Sequence, residues 1–293
     1  MSVHMNAQRP MQKHALTAYI NGIGLLGPGL ASWTESQPIL QGKQAYVANK
    51  TVIPAPELLP AAERRRASEI VKLTLATSLE ALRMTSATGT QLAEAATITL
   101  PSVFSFSNGD GLNCHNICEC LASEDREISP TRFHNSVHNA VAGYWSIATK
   151  NMATSSVLCA YDGSFGAGLL EAITQVVVDD TACILMTSDT PYPEPMFSKR
   201  PIPDNFGSAI TLSPQATPDS IAKITVETTQ DPANVLEDST LESLRLSFPT
   251  GRSLPLLLAL ARKASQRVVI DYLPGMQIAI EVSYDFAQHG VSK

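Results

Sequence analysis

From Leu16 onward, short β-rich runs ending in glycine or proline turns alternate with stretches that carry apolar residues at helical spacing. This alternation narrows the choice of fold more than any other feature of the chain. "LTAYINGIGLLGPG" predicts a strand closed by a Gly/Pro turn, and "ERRRASEIVKLTLATSLEALRM" repeats Ile70, Leu73, Leu75, Leu79 and Leu82 on a helical period. "ATITLPSVFSFS" is β-rich and meets the turn "NGDG" ahead of two predicted helices, "LNCHNICECLAS" and "TRFHNSVHNAVAGYWSIATK". "SSVLCAYDGSFGAGLLEA" runs from a strand through a tight turn into a helix. "TACILMTSD" is continuously apolar, as a strand covered on both faces must be, and the Pro-rich "DTPYPEPMFSKRPIPDN" predicts a loop. Beyond Phe206 come strands around Ile210 and over 221–227, a helix in "SLPLLLALARKAS", and strands "RVVIDYL" and "MQIAIEVSYDF". The pattern implies an α/β domain with a mainly parallel, buried sheet.

A chain of 293 residues with 44% hydrophobic and 16% charged side chains can bury a sizeable core, as one large or two modest domains. Its net charge of -6 and pI near 5.5 supply no basic field, so nucleic acid is not an expected partner. The longest apolar runs, such as 254–261, are far short of the roughly 20 residues that span a bilayer, and no membrane span is expected. Five cysteines and no secretion signal point to reduced thiols and a cytoplasmic setting. Residues 1–15, polar and without a period, are expected to form a disordered lead-in.

Three motifs invite chemistry and lose it on inspection. Gly22, Gly24, Gly27 and Gly29 contain a G-x-G-x-x-G string, but Pro28 follows the third glycine and no acidic ribose partner closes a short βαβ unit. Cys114 and Cys118 share a helix face with Cys120 pointing elsewhere, too few convergent ligands for a closed metal site even with His115 beside them. His134 and His138 have zinc-protease spacing, yet Asn135 stands where the glutamate base belongs. No metal or cofactor is expected.

The strand-turn-helix elbow carries two candidates. A helix N-terminus stabilises an anion and would activate a thiol, but Cys159 lies on the strand side and reads as a packed core thiol. Asp162 falls where the helix starts and reads as its N-cap.

Together these segments resemble the thiolase-fold β-ketoacyl synthases, and more narrowly the short synthase-like chain-length factors found with aryl-polyene pathways. The resemblance rests on "INGIGLLGPGLASWTESQPILQGK", on "FSFSNGDGLN", and on "ISPTRFHNSVHNAVAGYWSI", and it spans Leu16 to Leu212. It implies a layered α/β/α/β/α architecture with a truncated second half. The lead-in (1–15) would precede an N-terminal half (16–212) and a shortened C-terminal half (213–293). Counting from Ala142 in the family's register puts Asp162 at the nucleophile's place, with Cys159 three residues early. The family's two later histidines are also missing, since His289 is the only histidine after His138.

The resemblance therefore implies a catalytically silent subunit. It would pair with an active β-ketoacyl synthase, meet acyl carrier protein through that complex, and shape the acyl tunnel with Leu112, Asn116, Ile117, Thr131 and Phe133. Two alternatives remain open: an enzyme, either an acyltransferase or condensing enzyme using Cys159 or a hydrolase or decarboxylase with Asp162 as base, and a stand-alone acyl-carrier-protein-binding module.

Overall fold

Alternate residues of strand β4 (Cys183–Asp189) enter different cores: Cys183 and Leu185 on one face, Ile184 and Met186 on the other. That two-sided burial is why this stretch is apolar without a break. The computed structural model describes residues 15–86 and 98–286, so the lead-in before Ala15 and the tail with His289 lie outside the described residues. Eight strands form one sheet: β1 (Leu16–Leu26), β2 (Ser102–Phe106), β3 (Ser155–Cys159), β4, β5 (Phe206–Ser213), β6 (Ala222–Thr229), β7 (Gln266–Leu273) and β8 (Met276–Ser283). Their order is β3-β2-β4-β5-β1-β6-β8-β7.

The sheet is mixed, which corrects the expectation of a mainly parallel one. Only β2 runs parallel to its neighbours, β3 and β4, while β4–β5, β5–β1, β1–β6, β6–β8 and β8–β7 are antiparallel. Continuous apolar runs report cover on both faces and carry no information on strand direction. Direction is set by the connections: β7 and β8 form a hairpin around Pro274 and Gly275, whose φ of 78° suits glycine after proline in a type II turn. The C-terminal strands β6, β8 and β7 extend the same sheet beyond β1.

Helices cover both faces. Helix α3 (Glu69–Arg83) packs on β1 and β5, close enough that a Cβ on Gly24 would overlap the Thr77 carbonyl oxygen; this contact, and not a phosphate loop, accounts for the glycines inside β1. The same core takes Tyr144 and Trp145 from α6 (Ala140–Thr149). The opposite core joins Trp33 and Leu40 of α1 (Trp33–Leu40) to the apolar faces of α7 (Ser164–Val178), α9 (Ser239–Ser247) and α10 (Leu254–Arg262). Two stretches expected as single helices are broken. Ala67 is extended between α2 (Ala61–Arg66) and α3, and α5 (Pro130–His134) ends before α6 begins. The loop over 190–205 holds one short helix, α8 (Met196–Lys199).

The two sheet edges differ. At β7, the Asn234 N–H donates to the Val269 carbonyl at 2.8 Å and its Oδ1 accepts from the Val269 N–H at 2.6 Å, so a loop covers the edge. At β3, no described strand pairs on the outer side.

Candidate functional site

The elbow after β3 is built by one serine. Ser164, 1% exposed, accepts from the Ala160 N–H at 3.2 Å, and its hydroxyl lies 2.9 Å from the Phe106 carbonyl and 2.7 Å from that of Tyr161. Ser105 donates to the Ser164 carbonyl at 2.6 Å, which fixes the start of α7 to β2. Between them Tyr161–Gly163 make a single 3-10 turn, and Tyr161 adopts a left-handed φ of 52°, a conformation that costs a bulky residue about 1 kcal/mol or more. A Cβ on Gly163 would collide with the Tyr272 carbonyl oxygen, so the elbow needs glycine there to rest on β7.

Asp162 is not a helix cap. The N-cap of α7 is Gly163, and the Asp162 carboxylate turns outward to pair with Arg200. The helix starts two residues beyond Asp162, out of reach of the bond a cap would make. Arg200 is held from two sides, its guanidinium carbon stacking 3.6 Å from the Tyr161 ring centroid. It also donates to the Tyr192 hydroxyl at 3.5 Å, and that hydroxyl is 3.0 Å from Ser107 Oγ. Beneath this chain Asp189 is buried at the end of β4, accepting from the Thr250 N–H at 2.6 Å, and burial pushes its carboxyl pKa up. A cavity of about 610 Å³ opens between Ser107, Asn108, Tyr161, Tyr192, Met196 and Arg200. Asp162 borders a neighbouring cavity of about 530 Å³ that shares Tyr161 and Arg200.

Cys159 ends β3 opposite Phe106 and reaches solvent, which corrects its reading as a packed core thiol. The exposure follows from the edge: no described strand lies outside β3 to bury it against. Desolvation by the surrounding protein raises the thiol pKa, only partly offset by the Gly109 N–H, so the sulfur is not primed as a thiolate. Among the described residues no three His, Cys, Asp or Glu side chains gather around a possible metal. His134 closes α5 and His138 lies beyond it, so the two do not share a helix face.

Leu112, Asn116 and Thr131 come together along a groove of about 570 Å³ between α3, α4 (Gly111–Ala122) and α5. Ile117 and Phe133 do not line it, and Phe133 is 68% exposed. Sequence reasoning missed Arg200, Tyr192 and Ser107. The only hint was an arginine within an otherwise turn-forming Pro-rich stretch.

Residues 39–266 match the family described as Beta-ketoacyl synthase, N-terminal domain. In three dimensions the chain is similar to a ketosynthase in complex with its chain length factor from Xenorhabdus doucetiae. The TM-score is 0.66 at 21% identity, covering 91% of this chain and 99% of that one. The ishigamide ketosynthase/chain length factor gives a TM-score of 0.66 at 13% identity over 91% and 99% of the two chains. A β-ketoacyl synthase from Burkholderia phymatum STM815 gives 0.55 at 13% identity over 87% and 71%. These matches bear out the thiolase-like α/β class expected from the sequence. No curated protein matches the chain by sequence. No helix among the described residues is long and apolar enough to cross a membrane.

Proposed function

The chain belongs to the β-ketoacyl synthase N-terminal domain family, and from that membership we propose that it is a catalytically silent, chain-length-factor-like subunit that pairs with an active ketosynthase. The observation that carries the reading is the elbow, where the Asp162 carboxylate, assigned to the nucleophile's place by the register read from the sequence, is tied to Arg200. A carboxylate in an ion pair cannot take an acyl group from a thioester to any useful extent, and Cys159 has neither the helix N-terminus nor, among the described residues, a hydrogen-bonded histidine to activate it.

The surface supports a partner. No described strand covers the outer edge of β3, and several large apolar side chains of α4, α5, α6 and the turns after them are exposed: Leu112, Leu121, Phe133, Val137, Ile147 and Met152. An uncovered strand edge and exposed large apolar side chains are liabilities in a free chain and suit an interface in a complex. The structurally similar complexes pair a ketosynthase with a chain length factor, and in the proposed pairing Leu112, Asn116, Ile117, Thr131 and Phe133 are the candidates for the face turned to the synthase. Aryl-polyene biosynthesis is the pathway type this reading favours, with acyl carrier protein meeting the complex.

The test is acyl loading. The purified chain, offered labelled acyl carrier protein without a synthase, should take up no label, while its complex with a co-expressed ketosynthase should load on the synthase alone. Label on the isolated chain that disappears in Cys159→Ala would overturn the proposal. Maleimide labelling gives an independent readout: Cys159 should react in the free chain and be protected in the complex, with buried Cys183 silent in both.

A further inference from the structure

Helix α4 fully buries only Gly111, so most of its side chains face outward. Cys114 and Cys118 lie one turn apart on it, and both are exposed. Their thiols are close enough to share a hydrogen bond. By helical periodicity the pair falls on the side of α4 away from Leu112 and Asn116, the residues that line the groove against α5. Other potential ligands nearby are committed elsewhere. Cys120 Sγ donates to the Glu127 carbonyl at 3.2 Å, and His115 Nε2 lies 3.2 Å from a Glu119 carboxylate oxygen. Among the described residues no third His, Cys, Asp or Glu joins the two thiols.

The spacing decides what the two sulfurs can do together. Side chains four apart on a helix have Cβ atoms about 5–6 Å from each other. A disulfide needs them within about 3.5–4.5 Å, so oxidation of this pair would have to unwind a turn of α4. An ion held between the sulfurs inserts two metal–sulfur bonds of about 2.3 Å each, which spans the distance with the helix intact. Two thiols are too few for tetrahedral zinc, but they complete the shell of an ion that prefers two ligands. The local field agrees. Desolvation by the surrounding protein, then Cys118 and the Asp110 carboxylate, raise the Cys114 thiol pKa, so a bare thiolate is disfavoured where a cation is welcome.

We propose that Cys114 and Cys118 form a two-coordinate site for Cu(I), a soft monovalent cation. Thiolate ligands select such an ion over harder divalent ones, and the lack of further ligands excludes cations that demand four or six. Binding replaces two S–H bonds by two S–Cu bonds and releases both protons to water. The copper stays Cu(I) throughout, so the step needs no oxidant or reductant. The inference stands apart from the pairing proposed above, because both ligands sit on one helix of this chain.

Anaerobic titration of the full, reduced chain with Cu(I) against a competing Cu(I) chelator tests it, with the ligand atoms read by X-ray absorption. One Cu(I) should bind saturably and show two sulfur neighbours. Cys114→Ser and Cys118→Ser should each weaken binding about 100-fold or more, beyond what loss of a mere supporting group costs, with the circular dichroism of the parent. Cys120→Ser and Cys159→Ser should bind as the parent does, and equimolar Zn(II) should not displace the copper. Absence of saturable binding, full affinity in either the Cys114 or the Cys118 variant, loss of the site in Cys120→Ser, or displacement by Zn(II) would overturn the proposal.

Discussion

At the level of single residues, the elbow separates two roles that sequence position alone ran together. Asp162 holds the apex but does its work sideways, through Arg200, whose side chain is 15% exposed while that of Asp162 is 49% exposed. An ion pair with one half-exposed partner contributes little, so Asp162→Ala should cost under about 1 kcal/mol by thermal melting and leave product formation by the complex intact. Loss of product in that variant would give the carboxylate a chemical role. Gly163 is the opposite case. Gly163→Ala sets a methyl against the Tyr272 carbonyl, and because backbone cannot yield as a side-chain tip can, the elbow must lift from β7. An expected loss of about 1–3 kcal/mol in chemical denaturation would measure that contact.

At the level of elements, the tie between α9 and β7 gives the fold a pH dependence. Arg245, 5% exposed at its side chain, donates to Glu242 at 2.7 and 2.8 Å and to Asp271 at 2.5 Å, with Arg252 3.7 Å from Asp271. The hydrogen bonds from Arg245 hold the Glu242 carboxyl below its usual range. A lowered folded pKa means the stabilisation is fully present above the unfolded value, near 4.3, and is lost as pH falls through the folded one. Glu242→Gln should therefore lower the melting temperature by a constant amount above about pH 5, about 1.5–3 kcal/mol in free energy, and the gap should narrow as acid protonates Glu242 in the parent chain. A gap that does not change with pH would remove Glu242 as its source. Elements of this kind were only partly legible in sequence. Periodicity located α3, α7, α10 and all eight strands, because apolar spacing records which side of an element is buried. It could not record what joins elements end to end: the antiparallel direction of β5, the break at Ala67, or the reach of Arg200 from a Pro-rich loop to Asp162. The strand-turn-helix elbow was legible from its apolar pattern, whereas Asp162's partner depended on a loop that folds back 38 residues later.

At the level of the whole molecule, the C-terminal strands are not a detachable addition. β6 pairs with β1 over Leu16 to Ile20, and β8 and β7 follow it in the same sheet. One core draws Ile20 and Leu25 from β1, Phe165 and Leu169 from α7, Leu256 and Leu257 from α10, and Ile270 and Ile280 from β7 and β8. Ending the chain after Leu212 would bare the flank of β1 and the faces of α7 and the sheet that α10 covers. Each fully buried Leu or Phe thereby exposed forfeits about 1.5–3 kcal/mol, and a handful of them exceeds the roughly 5–15 kcal/mol by which a domain is stable. The truncated chain should therefore fail to fold, and the full chain should unfold in one transition, with circular dichroism and tryptophan fluorescence from Trp33 and Trp145 coinciding although these residues sit in opposite cores. Two separated transitions, or a soluble and cooperatively folded fragment ending at Leu212, would mean that the sheet is divided energetically where it is continuous in space.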